Sequence, residues 1–203
     1  MKKKITILMS VFALGFGFNA NAQAVDEGNV LIDVYSGGPN LFTSVIKGAY
    51  TNAGGTYENV KIGGLPCLGL RVGYMVTDRI SIGIDANYTS TVVTYSEASG
   101  SNVYDYTLSI PRIRAMARFE FHFGSSDKFD FYMPVGVGYS SIKYNYTTTD
   151  PDGGSLPSVR NLIPVAFRYG IGGRYFFTDN IGLNLELGLG GGPILEGGLA
   201  FKF

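Results

Sequence analysis

The chain has 203 residues with 16 basic and 16 acidic side chains, so no net charge draws it to nucleic acid. One cysteine, Cys67, excludes an internal disulfide. Glycine (29) and aromatics (14 Tyr, 14 Phe) are abundant, helical periodicity is nearly absent, and the length fits one domain.

The chain opens Met1-Lys2-Lys3-Lys4, continues with an apolar run from Ile5 to Phe18, and then reads Asn19-Ala20-Asn21-Ala22. A basic start, a short apolar run and an Ala-x-Ala end make the pattern of a secretory signal peptide. Cleavage is expected after Ala22, giving residues 1–22 as signal peptide and 23–203 as one barrel domain. Loss of Lys2, Lys3 and Lys4 leaves 13 bases against 16 acids. No cysteine stands directly after the apolar run, so no lipid anchor is expected there. No later window is long and apolar enough for a spanning helix.

After a short polar lead from Gln23 to Gly28, a first strand is predicted over Asn29 to Ser36, broken by Gly37-Gly38-Pro39-Asn40. Leu41 to Tyr50 could form a short amphipathic helix, and Thr51 to Gly64 reads as loop. Leu68 to Tyr88 is the clearest stretch. Leu68, Leu70, Val72, Tyr74 and Val76 alternate with small or polar residues, Thr77-Asp78-Arg79 turns the chain, and Ile80, Ile82, Ile84, Ala86 and Tyr88 resume the alternation. Period two over this length means β-strands with two unlike faces. The second of these strands runs on towards Tyr95, and Glu97 to Ser101 reads as a polar loop. A fourth strand is predicted over Tyr104 to Phe123, with Pro111 marking a bulge or weak pairing. A fifth spans Phe129 to about Tyr146, and a long loop over Thr147 to Arg160 holds the turn signal Asp150-Pro151-Asp152-Gly153. The last three strands are Leu162 to Phe177, Ile181 to Gly190 and Ile194 to Phe203. The two segments around Thr77-Asp78 and Thr178-Asp179 repeat each other weakly, as two equivalent hairpins.

Eight strands, short turns at one end and longer loops at the other predict an all-β fold: an eight-stranded antiparallel up-and-down transmembrane β-barrel. One face is continuously apolar, as in Ile181, Leu183, Leu185, Leu187 and Leu189. Aromatics gather at two heights, Tyr74, Phe121, Phe123, Phe129, Phe131, Tyr175, Phe177, Phe201 and Phe203 near the short turns, and Tyr88, Tyr95, Tyr139 and Tyr144 further along. Ten residues of tilted strand span roughly 23 Å, close to the lipid-facing band of such barrels. A soluble lipocalin-like barrel would invert the faces, and a polar face so rich in Gly and Arg does not suit a soluble exterior.

By parity the other face carries Arg71, Arg112, Arg114, Arg118, Arg168, Arg174 and Lys202 against Asp33, Asp85, Glu120, Asp130, Glu186 and Glu196. An eight-stranded barrel has an interior about wide enough for side chains to fill. Buried charges need partners. A lumen charge network is therefore expected, built on Arg71, Asp85, Arg112, Arg114, Arg118, Glu120, Arg168, Arg174 and Glu186, mutually bridged and without an open pore.

The end of the chain, Glu196-Gly197-Gly198-Leu199-Ala200-Phe201-Lys202-Phe203, resembles the C-terminal signal by which outer-membrane barrels are recognised for insertion. With the signal peptide and eight strands, the whole mature chain resembles the small outer-membrane β-barrel superfamily (OmpA-, OmpX- and OmpW-like barrel domains). The resemblance implies that Gly198, Phe201 and Phe203 form the assembly signal, read by the barrel-assembly machinery. It implies residence in the cell outer membrane with both termini in the periplasm, as a monomer in contact with outer-membrane lipid. In departure from OmpA, peptidoglycan anchoring by a periplasmic domain after the last strand is not expected. Members of this superfamily include enzymes, adhesins and channels, so no single activity follows.

Some small outer-membrane barrels modify lipid A using a His and a Ser at the outer rim. The single histidine, His122, lies two residues before the Gly124 turn, at the wrong end for that chemistry. Cys67 reads as a packed thiol, and Asp150 and Asp152 as turn residues rather than a calcium site. Leu41-Phe42-Thr43-Ser44-Val45-Ile46 is the most apolar loop stretch, either a helix over the rim or a contact for a partner or small hydrophobic molecule. The expected role is structural or surface-interacting through the loops, without a cofactor, metal or catalytic residue and without nucleic acid. The alternatives are a narrow channel or binding protein for small hydrophobic molecules and, behind it, a lipid-modifying enzyme.

Overall fold

A computed structural model describes residues 24–40, 44–45, 48, 58–99, 102–153, 164–190 and 192–203. The predicted signal peptide and most of the Leu41–Ile46 stretch lie outside the described residues. Ten strands follow one another: β1 (Val30–Asn40), β2 (Glu58–Gly63), β3 (Cys67–Thr77), β4 (Ile80–Ser99), β5 (Asn102–Ser125), β6 (Phe129–Ile142), β7 (Asn145–Thr148), β8 (Val165–Phe176), β9 (Ile181–Gly190) and β10 (Pro193–Lys202). Eight of them close a ring through the pairings β4–β3, β3–β1, β1–β10, β10–β9, β9–β8, β8–β6, β6–β5 and β5–β4. First and last strands close it over a long register, from Leu31 opposite Lys202 to Asn40 opposite Pro193. Closure leaves no strand edge unpaired in the wall, which is what a sheet in lipid requires.

The remaining two strands rise above the wall. β3 accompanies β4 only as far as Tyr88, and β6 accompanies β5 only as far as Arg112. The β4–β5 hairpin continues in unbroken register to Ser99 opposite Asn102. That extension is roughly 35 Å long at ~3.3 Å per residue. β2 flanks it along Val92 to Ser96, and β7 along Tyr106 to Ser109. The result is a four-stranded platform, β2-β4-β5-β7, standing on one side of the barrel mouth.

Several expectations change accordingly. Thr51 to Gly64 is not all loop, since β2 occupies its end; Asn59, at positive φ, and Gly63 hide the alternation that would mark it. Gly37 to Asn40 does not break β1, because extended backbone suits Gly and Pro at a strand end opposite Pro193 and Leu195. Pro111 causes no bulge against β4, where it faces Ser90. It marks instead the point where β6 gives way to β7, with Lys143 N donating to its carbonyl. The predicted fifth strand is thus two strands, and Tyr95 belongs to the platform rather than to an aromatic girdle.

The wall has the two faces that the alternation requires. Ile82, Ile84, Val135, Val137, Phe167, Ile171, Leu183, Leu185, Leu187 and Leu199 all point outward and are exposed. An apolar surface this continuous belongs against lipid. Phe129, Phe131, Tyr175 and Phe177 ring the turn end, and Tyr88 and Tyr139 lie towards the loop end. On the outside an apolar groove of about 520 Å³ runs over Gly173 between Phe131, Leu185 and Leu187.

The inner face changes character at the turn end. Leu31, Met75, Phe176 and Ala200 are apolar there, and Ala24 and Val25 fold in against them, all six buried. Gly28 N donates to Met75 O at 2.9 Å, and Lys202 Nζ donates to Ala24 O at 2.7 Å while lying over the Phe176 ring. The segment read as a polar lead is therefore an apolar stopper. Two residues are too short a run to declare themselves by periodicity.

Candidate functional site

The lumen above this stopper holds the charged residues. They sit on inward positions of the ring strands, so each of the eight strands projects at least one into a space that the wall seals from lipid. Arg71 approaches Asp85 (2.9 Å), Glu186 (3.3 Å) and Asp33 (3.9 Å) and also pairs with Glu196. Arg118 bonds Glu120 at 2.6 Å, approaches Asp85 at 3.5 Å, and pairs with Glu186. Arg168 lies 2.6 Å from Glu186 and 3.1 Å from Glu196. Arg174 joins Asp33 (2.8 Å), Glu120 (3.1 Å) and Asp130 (3.0 Å). Each of these four guanidinia thus bridges at least two carboxylates, and all are nearly inaccessible to solvent. In a low-dielectric lumen such a network holds only if its members satisfy one another.

Two tyrosines brace the network. Tyr35 lies flat over Gly69 and Tyr132 over Gly172, where a Cβ would run into the ring. The Arg71 guanidinium lies over the Tyr35 ring at 3.9 Å, and that of Arg174 over the Tyr132 ring at 4.2 Å. Glycine, ring and guanidinium form the same cluster twice, with cation–π attraction added to the packing. Tyr35 Oη also donates to Asp85 Oδ1 at 2.6 Å. Neither tyrosine stood out in the sequence, although parity placed both on the lumen face.

Arg112 and Arg114 stand outside the network predicted for them. Arg112 Nε donates to Ser140 Oγ at 2.9 Å. Arg114 is fully buried, and among the described residues none of its three nitrogens has a hydrogen-bond partner. On β5, Arg114 and Arg112 lie one and two inward positions beyond Met116, the residue paired with Asp85.

His122 lies deep at the turn end. Its Nδ1 is 2.7 Å from Asp130 Oδ1 and its Nε2 is 3.0 Å from Ser81 Oγ. Serine, imidazole and carboxylate in that order resemble a nucleophile, a base and its orienter. The surroundings do not suit that use. Ser81 Oγ also lies 3.3 Å from Glu120 Oε2, all three groups are buried, and the space beside Ser81, about 10 Å³, holds one water at most. An acyl group has no room there. The register Ser81 opposite Glu120, set by the Thr77–Ile80 turn, is the signal that could have placed Ser81 beside His122.

On the platform, Tyr95 stacks on Tyr106 (5.1 Å) and Tyr106 on Tyr146 (6.1 Å). A groove of about 270 Å³ lies beside them, lined by Asn59, Lys61, Thr94, Ser96, Asp105 and Thr107. Burial and the Asp150 acceptor at 3.1 Å from its hydroxyl raise the pKa of Tyr106 above the ordinary tyrosine value. Asp150 also caps its own turn, accepting from Asp152 N at 3.0 Å. Of the C-terminal residues, Gly198 pairs with Tyr35 and Asn184, Phe201 with Ile32 and Ile181, and Phe203 bonds Val30 through both backbone groups.

No curated protein matches the chain. Among solved structures it is similar to the outer membrane protein OprG from Pseudomonas aeruginosa, with a TM-score of 0.51 and 12% identity over 90% of this chain and 99% of that one. It is also similar to the N-terminal β-barrel domain of OprF from Pseudomonas aeruginosa (TM-score 0.47, 14% identity, 88% and 100% covered). Ail of Yersinia pestis gives a TM-score of 0.37 at 11% identity, with 87% and 99% covered. At these identities the likeness is one of fold. The family model described as "Outer membrane protein beta-barrel domain" matches residues 10–189, and the chain belongs to that family of outer-membrane β-barrels.

Proposed function

We propose that this barrel is a surface-interaction protein rather than a channel or an enzyme, with both termini in the periplasm and the platform displayed outside the cell. One observation carries the reading: the charges that could line a pore are spent on one another in the Arg71–Arg118–Arg168–Arg174 network, while the β4–β5 hairpin extends far past the wall. A lumen bridged across its width leaves no continuous path for a solute, polar or hydrophobic. A hairpin sheathed by β2 and β7 presents a rigid surface at the loop end, where binding residues of barrels are best placed.

The groove beside Tyr95 and Tyr106 indicates the partner's chemistry. Aromatic rings together with hydroxyl, amide, ammonium and carboxylate groups from Thr94, Thr107, Asn59, Lys61 and Asp105 suit a glycan, which offers apolar sugar faces and many hydroxyls. The apolar groove over Gly173 lies on the lipid side and suits acyl chains of the bilayer. The C-terminal Gly198, Phe201 and Phe203 serve assembly in this reading, by presenting the closing strand to the insertion machinery.

The test is a glycan array probed with the detergent-refolded barrel and with a variant shortened from Val93 to Leu108 by a two-residue turn. The reading expects saturable binding to one glycan class by the full barrel and its loss in the shortened one, with heat-modifiability retained by both. Equal binding by both, or none by either, contradicts it.

A further inference from the structure

The lipid-facing wall leaves its backbone uncovered at Gly173 on β8. This glycine lies directly opposite Phe131 on β6 and Leu185 on β9. All three share the outward face with Ile171 and Tyr175, the next outward residues of β8. The nearest side chain to the Cβ position of Gly173 is the Phe131 ring, at 3.3 Å. Leu185 leans the other way, its Cδ1 3.4 Å from the Cβ position of Gly197 on β10. Between them lies the apolar groove of about 520 Å³. Phe129, Phe131 and Tyr175 stiffen one rim, with ring centroids 6.0 Å apart for Phe129 and Phe131 and 4.7 Å for Phe129 and Tyr175. Leu183, Leu185 and Leu187 make the other rim, each about half exposed.

We propose that this groove is a binding site for one acyl chain of a phospholipid in the leaflet at the turn end. The groove is continuous with the lipid-facing wall, and at that depth a bilayer offers only hydrocarbon. Its height selects the leaflet. It reaches from Leu183, opposite Tyr175, to Leu187, opposite Ile171. Four residues of strand cover ~13 Å, and a ~45° tilt brings that to roughly 9 Å of an apolar band ~25 Å tall. Ile181, the first residue of β9, is the next outward position below Leu183, so the groove belongs mainly to the turn-end half. Lipid tails are as apolar as leucine, so hydrophobic burial does not hold the chain there. Contact does. A chain over Gly173 touches the backbone floor and both rims, whereas a flat wall touches it on one side. The aromatic rim is packed in advance and loses little freedom when the chain arrives. The inference rests on the orientation given above, with both termini in the periplasm, and is independent of what the platform binds.

The experiment is native mass spectrometry of the full barrel, released from its own outer membrane in a mild non-ionic detergent. One retained phospholipid per chain is expected. Gly173→Leu fills the groove with little strain, because the atoms it meets first are the edge of the Phe131 ring. It should lower the retained fraction about tenfold, as the loss of about ten atom contacts would. Ala86→Leu adds similar bulk at an exposed position of β4, away from the groove, and should retain lipid as the parent does. Leu185→Ala lowers one rim without adding bulk and should also weaken retention; it carries the test if the Gly173 variant does not fold. All should keep the heat-modifiable gel shift. No phospholipid on the parent overturns the proposal, and so does equal retention in Gly173→Leu. A two-chain mass without lipid, lost in Gly173→Leu, would give the groove to a second copy and overturn it too. In these three cases the orientation and the platform reading stand. Retained lipid A would instead put the turn end in the outer leaflet and overturn the orientation together with the proposal.

Discussion

Arg174 on β8 holds Asp33 on β1 with two nitrogens, Nε at 3.1 Å from Oδ1 and Nη2 at 2.8 Å from Oδ2. This fork spans the lumen between strands at opposite ends of the sequence, and the same guanidinium reaches Glu120 and Asp130. Arg174→Met strips three buried carboxylates of a common partner. Urea unfolding in detergent should show a loss of about 3–5 kcal/mol. Adding Asp33→Asn should cost less than the sum of the single changes, with a coupling on the order of 0.5–3 kcal/mol. Strict additivity would mean that the fork contributes nothing as a pair.

The tyrosine clusters make a second prediction. Gly69→Ala and Gly172→Ala each place a methyl where the Tyr35 or Tyr132 ring lies, so the ring and its stacked arginine must move. Each change should destabilise by about 1–3 kcal/mol, as overpacking does. The near-ultraviolet tyrosine signal should change with it. Gly48→Ala, with no described residue near its Cβ position, is the control that should leave both unchanged.

The stopper at the turn end is separable from the network. Val25→Asp puts a carboxylate among Leu31, Met75, Phe176 and Ala200. Losing the burial of one valine alone costs about 1.5–3 kcal/mol. Protease should then cut the segment before Val30 while the barrel keeps its heat-modifiable gel shift. Protection equal to the parent's would show that Ala24 and Val25 do not hold the segment.

The platform has a pH signature. Burial, then the hydrogen bond to Asp150, raises the Tyr106 pKa in the folded state. A raised folded-state value contributes stability that is complete below the ordinary tyrosine pKa, about 10, and fades as pH rises through the folded-state value. Hydrogen exchange at Leu108 and Tyr146 should therefore accelerate at alkaline pH in the parent. In Tyr106→Phe that alkaline step, read relative to the base-catalysed rise common to all amides, should shrink while the wall strands stay protected.

The wall was legible because alternation is a strong local signal. Leu183, Leu185 and Leu187 could only face lipid once Asn184 and Glu186 faced inward, and the Thr77–Asp78 and Thr178–Asp179 turns fixed which ends were short. Parity also put Arg71, Arg118, Arg168 and Arg174 on one face. It could not say which charges meet, since that depends on shear around the ring and on strand height. Arg114 and Arg118 look alike in sequence, yet only Arg118 lies at the level of Glu186. β2 escaped notice because Asn59 and Gly63 interrupt its pattern, and Ser81 beside His122 required the register of β4 against β5. The stopper escaped because Ala24 and Val25 gain meaning only when β10 brings Ala200 and Lys202 alongside.

The central claim is that the lumen is closed by its own ion pairs. Single-channel recording of the refolded barrel in planar bilayers tests it most directly. The account predicts a flat baseline for the parent at neutral pH and discrete openings for Arg174→Met or a barrel lacking Ala24 and Val25. Steady channels from the unaltered barrel would contradict it.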